Sequence, residues 1–306
     1  MRFVTFEESG SSRAGVLLAH AEVDRVGADK VLDLSHSAVA DCLMGVAPDL
    51  LAMVEAGLGS IAERVAELAA PPASACLPEG AVRLLAPLPV PPRIIGAAHN
   101  YTCALRERGV TAPEAPVLFE KNASTIVGPG AAVFLPEGAG GITYEAELAV
   151  IIGRRADAVT PQAGLDFVAG YTLFNDISAS EIIRADGTFE RGKNFPTFGP
   201  MGPWLATPDE VDPVAGHRVT LTVDGTLRQD GTTADLLFGV AELISYLSQI
   251  APLEPGTVIA TGTPAGVAPL QSPPTWLAPG TVMTLAIEGL GQLTNPVETG
   301  KVDYNG

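Results

Sequence analysis

The chain has 306 residues, of which 47% are apolar and only 17% are charged, and its formal net charge is −17. This composition is typical of a well-buried globular enzyme and excludes a disordered or coiled-coil protein. It also argues against a nucleic-acid partner, because phosphate binding needs an excess of lysine and arginine. No apolar run approaches the roughly 20 residues that span a bilayer, so no membrane partner is expected.

The cysteines and the N-terminus predict a cytoplasmic protein. Cys42, Cys76 and Cys103 are odd in number and widely spaced, so no disulfide framework is implied. Residues 1–7 have the pattern of an edge strand and lack a signal-peptide core. A reducing compartment is the one that these features favour.

Residues 1–75 are predicted to form a small α/β domain. After the first strand, apolar runs predict strands at residues 14–18 and 31–34, with a turn over residues 24–30 between them. The prolines between residues 71 and 92 then predict an extended segment, so the domain boundary is placed near residue 75.

One helix is predicted in this first domain. Asp49 is placed to cap it, and its apolar positions approximate a 3.6-residue period: Leu50, Val54, Leu58, Ile61, Val65 and Leu68. Gly57 and Gly59 weaken its middle, which predicts a kink or two short helices.

Residues 76–306 are predicted to form a second, β-rich domain. Residues 218–223 and 282–287 alternate between polar and apolar side chains, and the first of these runs meets a turn at Asp224 and Gly225, which predicts a hairpin. A helix is expected after Asp235. Few helices among many short strands favour an α+β fold.

Three acidic residues are the main candidates for chemistry. Glu145 and Glu147 are two apart in a predicted strand, so their carboxylates project from the same face. Asp176 ends another apolar run, where a strand can deliver it beside the pair. An all-oxygen site of this kind suits Mg²⁺, Mn²⁺ or Ca²⁺ better than zinc. The alternative is a polar strand face that carries solvated glutamates.

Further polar residues follow predicted strands. Lys193 faces solvent or serves the site as a fixed positive charge, and Lys121 is a second lysine candidate. Gly262 and Thr263 follow an apolar strand, where amides and hydroxyls suit carboxylate binding, although a plain turn is the alternative. A last group follows another strand and comprises His99, Asn100 and Tyr101.

These segments together resemble the fumarylacetoacetate hydrolase superfamily. The matching segments occur in family order over about residues 94–297: NY (100–101), LFEK (118–121), YEAEL (144–148), VAGYT (168–172) leading to ND (175–176), GK (192–193) through GPW (202–204), and TGTP (261–264). The resemblance implies a β-rich catalytic domain that forms a homodimer. It also implies Glu145, Glu147 and Asp176 as ligands of Mg²⁺ or Mn²⁺, and Lys193 as an active-site cation.

The chemistry that the resemblance implies is that of 2-oxo acids and 1,3-dicarbonyl compounds. The divalent ion acts as a Lewis acid, and Lys193 adds a preorganised charge. Substrate binding is expected from the polar residues at the strand ends, namely Asn100, Tyr101, Lys121, Gly262 and Thr263.

The sequence departs from the family pattern where the acid–base groups lie. The family commonly has Asn-Tyr-x-x-His-x-x-Glu on a mobile lid, and here the histidine position is Ala104 while the glutamate position is Glu107. The usual arginine and glutamine positions hold Ser180 and Ile183. An aspartate common before the glutamate pair is replaced by Thr143.

Three functions remain open on this basis. The first is hydrolysis of a C–C bond in an acylpyruvate-type substrate, and Glu107 is the expected base for this reaction or for isomerisation. The second is enol–keto isomerisation or decarboxylation, which Ala104 favours because each needs less acid–base machinery. The third is a catalytically silent protein that binds a metabolite. His99 is a candidate to replace the missing imidazole, and a purely structural histidine is the alternative.

Overall fold

The computed structural model describes residues 1–18, 30–68 and 70–300. The strands, numbered in chain order, are β1 Arg2–Glu8, β2 Ser11–Leu18, β3 Lys30–Asp33, β4 Cys76–Pro78, β5 Arg83–Leu84, β6 Ile94–Ala98, β7 Val117–Lys121, β8 Ile126–Val127, β9 Val133–Leu135, β10 Ile142–Thr143, β11 Ala146–Ile152, β12 Val168–Asn175, β13 Ser178–Ala179, β14 Gly199–Ala206, β15 Arg218–Val223, β16 Thr226–Thr232, β17 Val258–Ala260, β18 Val282–Ile287 and β19 Gly291–Thr299. The α-helices are α1 Leu50–Ala66, α2 Thr102–Arg108, α3 Ser180–Asp186, α4 Glu190–Lys193 and α5 Val240–Ile250. Short 3-10 helices cover Ala40–Leu43, Ala73–Ala75, Glu79–Ala81, Ala123–Thr125, Pro161–Phe167, Thr233–Asp235 and Ala268–Leu270.

The N-terminal elements largely confirm the sequence prediction. Asp49 caps α1 by accepting a hydrogen bond from the Ala52 amide at 3.0 Å. Gly57 interrupts the helix with a φ of 103°, so the predicted kink is confirmed. The turn predicted over residues 24–30 lies outside the described residues except for Lys30, which begins β3.

One prediction about a single element is wrong. The first strand is not at a sheet edge, because β1 pairs with β2 on one side and with β14 on the other. Its residues from Phe3 to Phe6 are also buried. The helix predicted after Asp235 is confirmed as α5, which begins at Val240, and the Glu242 side chain accepts from the Gly239 amide at 2.8 Å at its start.

Most strands belong to one large mixed sheet, in the order β4-β3-β2-β1-β14-β12-β11-β17-β6-β7. A second sheet has the order β16-β15-β18-β19-β9, and β10 pairs with β13. The predicted β-rich α+β architecture is confirmed. Strands β1 to β4 extend the large sheet, and the boundary near residue 75 stays a prediction. In the described ranges, no helix is long and apolar enough to cross a membrane.

Strand β11 lies in the interior of the large sheet and is buried along its whole length, because both faces of the sheet are covered at this strand. Leu148 and Val150 pack in one hydrophobic core. Ala149 and Ile151 pack in a second core that also receives the buried face of α1. The two-residue period of the strand therefore divides its side chains between two cores.

The direction of four adjacent strands brings polar residues to one place. Strand β11 is antiparallel to β12 and β17, with Ala146 opposite Asn175 and Ala149 opposite Ala260. Strand β6 is parallel to β17, with Gly96 opposite Ala260. The beginning of β11 therefore lies beside the carboxyl ends of the other three strands, and polar side chains at these points converge.

Candidate metal centre and cavity

The three candidate carboxylates meet at this convergence. Glu145 directly precedes β11, Glu147 is its second residue, and Asp176 directly follows β12. One oxygen from each carboxylate can be chosen so that all lie within 4.8 Å of one another. The Asp176 amide donates to the Glu145 carbonyl at 2.9 Å, which fixes the two chain segments side by side. The grouping predicted from the sequence is therefore present, and we call it the carboxylate triad.

Two buried lysines contact the triad. The Lys193 ammonium donates to Glu145 Oε2 at 2.7 Å and to Asp176 Oδ2, and the Lys121 ammonium donates to Asp176 Oδ1 at 2.8 Å. Lys121 also donates to the Lys193 carbonyl at 2.5 Å. When all five groups are ionised, three carboxylates and two ammonium groups leave one net negative charge in a largely buried site.

The end of α4 holds Lys193 in position. A side chain at Gly192 would meet Ile183 at 2.4 Å, so glycine permits the close packing of α4 on α3. The Lys193 ammonium lies 4.5 Å from the Phe119 ring centre and 5.9 Å from that of Phe189. These rings favour a cation at that point.

Burial and charge shift the triad's pKa values in opposite directions. Burial raises the pKa of Glu147 well above its ordinary value, and the neighbouring Asp176 raises it further. Burial also raises the pKa of Glu145 against the opposing charge of Lys193. Burial alone would raise the pKa of Asp176, but the charges of Lys121 and Lys193 lower it below its usual range. The same carboxylates raise the pKa of Lys193, although its burial opposes this effect.

The donor set fits a divalent oxygen-binding cation. The triad offers only carboxylate oxygens, and the described residues contain no other group of three acidic, histidine or cysteine side chains placed to hold a metal ion. Burial of like charges makes the ionised triad costly without a further positive charge, which a bound cation supplies. The residues that would hold Mg²⁺ or Mn²⁺ are Glu145, Glu147 and Asp176.

Glu145 and Glu147 of the triad form the floor of a cavity of about 260 Å³, while Asp176 is fully buried and does not line it. Among the residues singled out in the sequence, Glu145, Glu147, Lys193, His99 and Thr263 line it. Other lining residues come mainly from the helices and the loop after β17, including Ala104, Arg108, Ser180, Ile183, Arg184, Phe189 and Leu270. The volume is below the roughly 300–1,000 Å³ of drug-sized sites, so it suits a small metabolite.

Asn100 and Tyr101 lie behind the cavity wall. The Asn100 side chain donates to Phe238 O at 3.0 Å and to Thr261 O at 2.8 Å, and accepts from the Phe238 amide at 2.8 Å. These hydrogen bonds join the segment of Asn100 to the segments of Phe238 and Thr261. Tyr101 is fully buried, and its hydroxyl has no partner among the described residues. Neither residue lines the cavity, so the structure offers no contact that supports their predicted role in substrate binding.

Lys121 and Gly262 also do not line the cavity, and they contact carboxylates of the triad instead. Lys121 is fully buried and reaches the far oxygen of Asp176, as described above. Gly262, with a φ of 99°, donates its amide to Glu147 Oε2 at 2.8 Å. A side chain at Gly262 would meet Ala97 O at 2.8 Å, so only glycine allows this close approach. Both residues orient carboxylates of the triad, and substrate contact by either stays a prediction.

Thr263 lies on the cavity wall and is oriented by a residue that the sequence analysis missed. Gln229 in β16 is fully buried and donates to Thr263 Oγ1 at 2.8 Å and to Pro264 O at 2.9 Å. Its carbonyl oxygen accepts from the Ala146 amide at 2.9 Å. Nothing in the alternation of the strand distinguishes Gln229 from a solvent-facing glutamine.

His99 and Glu107 occupy different places. His99 lines the cavity, with a φ of 58° in the left-handed region after β6. Desolvation lowers the pKa of His99, and the positive charges of Arg108 and Lys193 lower it further. Glu107 is exposed on α2, does not line the cavity, and accepts from the Gly266 amide at 3.0 Å. The catalytic roles predicted for these two residues are untested by this arrangement.

Three of the four positions that depart from the family pattern lie at the cavity. Ala104 on α2 and Ser180 and Ile183 on α3 all line it. Thr143 is buried instead and accepts from the Ala268 amide at 2.9 Å, which anchors the loop after β17. Arg108 and Arg184 also line the cavity and were not predicted from the sequence, although each follows a small cavity residue by one helical turn.

A larger cavity of about 550 Å³ lies elsewhere, between the kink of α1 and the residues that flank β12 and β14. None of the candidate site residues lines it. Arg154 lies over the Phe167 ring there, at 4.4 Å from its centre. The chemistry of the triad therefore belongs to the smaller cavity.

A buried all-oxygen triad, two lysines and a small cavity at strand ends define a small-molecule enzyme with a centre suited to a divalent cation. The family model described as fumarylacetoacetate (FAA) hydrolase C-terminal matches residues 93–298. The chain belongs to this family of enzymes, as its sequence motifs indicated.

Proteins that are similar in sequence or structure match this chain over almost its whole length. A Burkholderia lata protein named "Putative hydrolase" is 36% identical over 294 residues, which cover 95% of this chain and 97% of that protein. The crystal structure of a fumarylacetoacetate hydrolase from Exiguobacterium antarcticum has a TM-score of 0.80 at 32% identity, covering 98% of this chain and 100% of that one. A 2-hydroxyhepta-2,4-diene-1,7-dioate isomerase from Mycobacterium marinum has a TM-score of 0.74 at 29% identity, covering 98% of both chains.

Substitution of Glu147 by Gln is expected to weaken Mg²⁺ binding at least about tenfold, because the triad loses one of its charges. Titration calorimetry measures this effect. The matched control is Glu120→Gln, which alters an exposed acid paired with Arg93 at 2.8 Å. Because the pKa of Glu147 is raised, the affinity of the wild-type protein should rise with pH as the proton leaves. Equal Mg²⁺ affinity of both variants would contradict Glu147 as a ligand.

Substitution of Asn100 by Ala is expected to destabilise the protein by about 1–3 kcal/mol, because three backbone groups lose their hydrogen bonds, of which the one to Thr261 O is buried. Chemical denaturation measures the change. Asn122→Ala is the control, since Asn122 is exposed, and should stay within about 0.5 kcal/mol of wild type. A stable Asn100→Ala protein with impaired substrate binding would instead restore the predicted binding role.

Proposed function

We propose that this chain is a Mg²⁺- or Mn²⁺-dependent enzyme that catalyses enol–keto isomerisation of a small 2-oxo acid. The observation that carries this proposal is an imidazole at the cavity, the only one that lines it among the described residues: His99 lies there, while Glu107 lies outside and Ala104 replaces the lid histidine. Isomerisation needs one group that removes a proton and returns it elsewhere. An isomerase among the similar structures supports the same class.

The cation, when bound by the triad, supplies positive charge and Lewis acidity for the oxygens of the substrate. Lys193 contributes a fixed positive charge, since its raised pKa keeps the ammonium protonated at neutral pH. His99 has a lowered pKa and is therefore neutral near pH 7. In the proposed reaction His99 accepts the proton of the enol hydroxyl and delivers it to a carbon of the conjugated system.

C–C bond hydrolysis of an acylpyruvate is the second candidate. It is supported by the fumarylacetoacetate hydrolase structure and by the curated relative's name. Hydrolysis requires activation of a water molecule, and in this arrangement Glu107 would have to leave the Gly266 amide to reach the cavity. Decarboxylation belongs to the same set of alternatives. A homodimer and a cytoplasmic location also stay predictions.

The first test is a turnover assay with Mg²⁺ and a panel of dienoic 2-hydroxy acids, acylpyruvates and oxaloacetate. His99→Gln is expected to reduce isomerisation by about 10²–10⁴-fold, the usual contribution of an acid–base group. In the wild-type protein kcat/KM should rise with pH through a pKa below the ordinary histidine value of about 6.5.

Two further variants separate isomerisation from hydrolysis. Glu107→Gln should leave isomerisation unchanged and abolish any hydrolysis, while Ala104→His should raise hydrolysis of an acylpyruvate if the missing imidazole is the deficit. Loss of isomerisation in Glu107→Gln, with normal activity in His99→Gln, would reverse the assignment of the base.

Replacement of Lys193 by Met is expected to lower kcat by about 10²–10³-fold, as loss of a preorganised charge does in other active sites. In saturating Mg²⁺ its melting temperature should change little, because the bound cation then balances Glu145 and Asp176. Lys121→Met is the matched comparison: it removes the ion pair behind Asp176 and should chiefly lower the melting temperature. Parallel losses of activity and stability in both variants would show that Lys193 is structural.

A further inference from the structure

One buried carboxamide joins the strand of the triad to the cavity wall. Gln229 lies in β16 and is fully buried. Its carbonyl oxygen accepts at 2.9 Å from the amide of Ala146, the residue that separates the two glutamates of the triad. Its amide nitrogen donates to Thr263 Oγ1 at 2.8 Å and to the Pro264 carbonyl at 2.9 Å. The position of Thr263 is therefore tied to the start of β11 through a single side chain.

The partners of this carboxamide leave it only one orientation. The Ala146 amide can only donate a hydrogen bond, and the Pro264 carbonyl can only accept one. The oxygen of Gln229 must face Ala146 and its nitrogen must face Pro264, because the reverse would place donor against donor and acceptor against acceptor. Thr263 is then contacted by an N–H group, so its hydroxyl oxygen acts as the acceptor of that hydrogen bond.

This polarity leaves the proton of Thr263 for the cavity. A threonine hydroxyl has one proton, which cannot point at a group that itself donates to the oxygen. Among the described residues, Thr263 Oγ1 has no hydrogen bond besides the one from Gln229. Because Thr263 lines the cavity, its hydroxyl presents a donor to a ligand there.

Close backbone contacts hold β16 against the loop that carries Thr263. A side chain at Gly266 would collide with the Arg228 carbonyl, and one at Gly231 would meet the Pro264 side chain at 2.5 Å. Only glycine permits both approaches. Strand β16 is thus packed directly on the loop on either side of Gln229, which fixes the base from which its side chain reaches the cavity wall.

We propose that Gln229 is a positioning residue that makes Thr263 a hydrogen-bond donor to the 2-oxygen of the substrate and so favours the keto form over the enol form. A keto oxygen can only accept, whereas an enol oxygen carries a proton that needs an acceptor of its own. Thr263 follows Gly262, whose amide holds Glu147, so it lies at the same end of the cavity as the triad. This inference rests on the proposed function for the substrate class, and adds which tautomer the site stabilises.

A matched pair of ligands tests the polarity of Thr263 in the Mg²⁺-loaded full chain. 2-Oxobutanoate presents a keto oxygen beside its carboxylate, and each enantiomer of 2-hydroxybutanoate presents a hydroxyl group there on the same carbon chain. Calorimetry should show about 2- to 10-fold tighter binding of the 2-oxo acid, the range that one hydrogen bond contributes. Because chelation of the cation also differs between the acids, the informative quantity is the change in this preference between protein variants.

Gln229→Glu reverses the polarity while keeping the shape of the side chain. It retains an acceptor for the Ala146 amide but places a carboxylate oxygen against Thr263, which then donates to that carboxylate and presents lone pairs to the cavity. The preference for the 2-oxo acid should fall about 2- to 10-fold. In a Thr263→Val background the same change should have no effect on the preference, because the hydroxyl through which it acts is absent. Thr263→Ser retains the hydroxyl and should keep the preference.

A second variant and a control accompany this test. Gln229→Met buries no charge, so it serves if Gln229→Glu fails to fold. It leaves Thr263 free to donate or to accept, and the preference should again fall. Gln249→Glu is the matched control, since Gln249 in α5 donates to the Val159 carbonyl at 3.5 Å and does not line the cavity. Its preference should equal that of the wild-type protein.

The outcomes separate this inference from the proposed function. A purely structural Gln229 would weaken the binding of both acids equally and leave their ratio unchanged. That result, an effect of Gln229→Glu that persists without the Thr263 hydroxyl, or no binding of either acid would overturn the inference. The expected changes in ratio, without Mg²⁺-dependent turnover of any substrate in the panel, would sustain it and refute the enzymatic proposal.

Discussion

The constraint on which the site depends is the burial of three like charges in one small space. Carboxylate oxygens within 4.8 Å of one another repel by roughly 3–4 kcal/mol per pair at an effective dielectric constant near 20. Lys121 and Lys193 offset this repulsion from two different elements, β7 and α4. The positions of those elements relative to the central strands are therefore part of the electrostatics, and the all-oxygen acidic site that remains is suited to a divalent cation.

The direction of the strands in the large sheet brings the site residues together. Because β11 runs against β12 and β17, residues far apart in sequence arrive at one edge of three adjacent strands. Strand ends can present side chains and free amides to a ligand, while the interior of each strand stays in the two cores. The amide of Gly262 shows this division, since it orients Glu147 directly beyond the last pair of β17.

The sequence predicted the triad well because its signal is local. A two-residue spacing fixes a common face for Glu145 and Glu147 wherever the strand lies. The function of Asn100 could not be predicted in the same way, because its partners are more than a hundred residues away and belong to backbone groups. The contribution of Gln229 likewise depends on how the second sheet packs on the first. Arg108 was within reach of a local argument, since it follows Ala104 by one turn, but only the packing of α2 shows which face meets the cavity.

The unequal space around the cavity has a consequence for redesign of the substrate range. Behind the floor there is no room for added volume, since any side chain at Gly262 meets the carbonyl of Ala97. The walls contributed by α2 and α3 carry short side chains, at Ala104 and Ser180, and neither residue belongs to the triad. A saturation library confined to these two wall positions would therefore vary pocket shape independently of the charged floor, which makes the two helices the natural entry point for laboratory evolution.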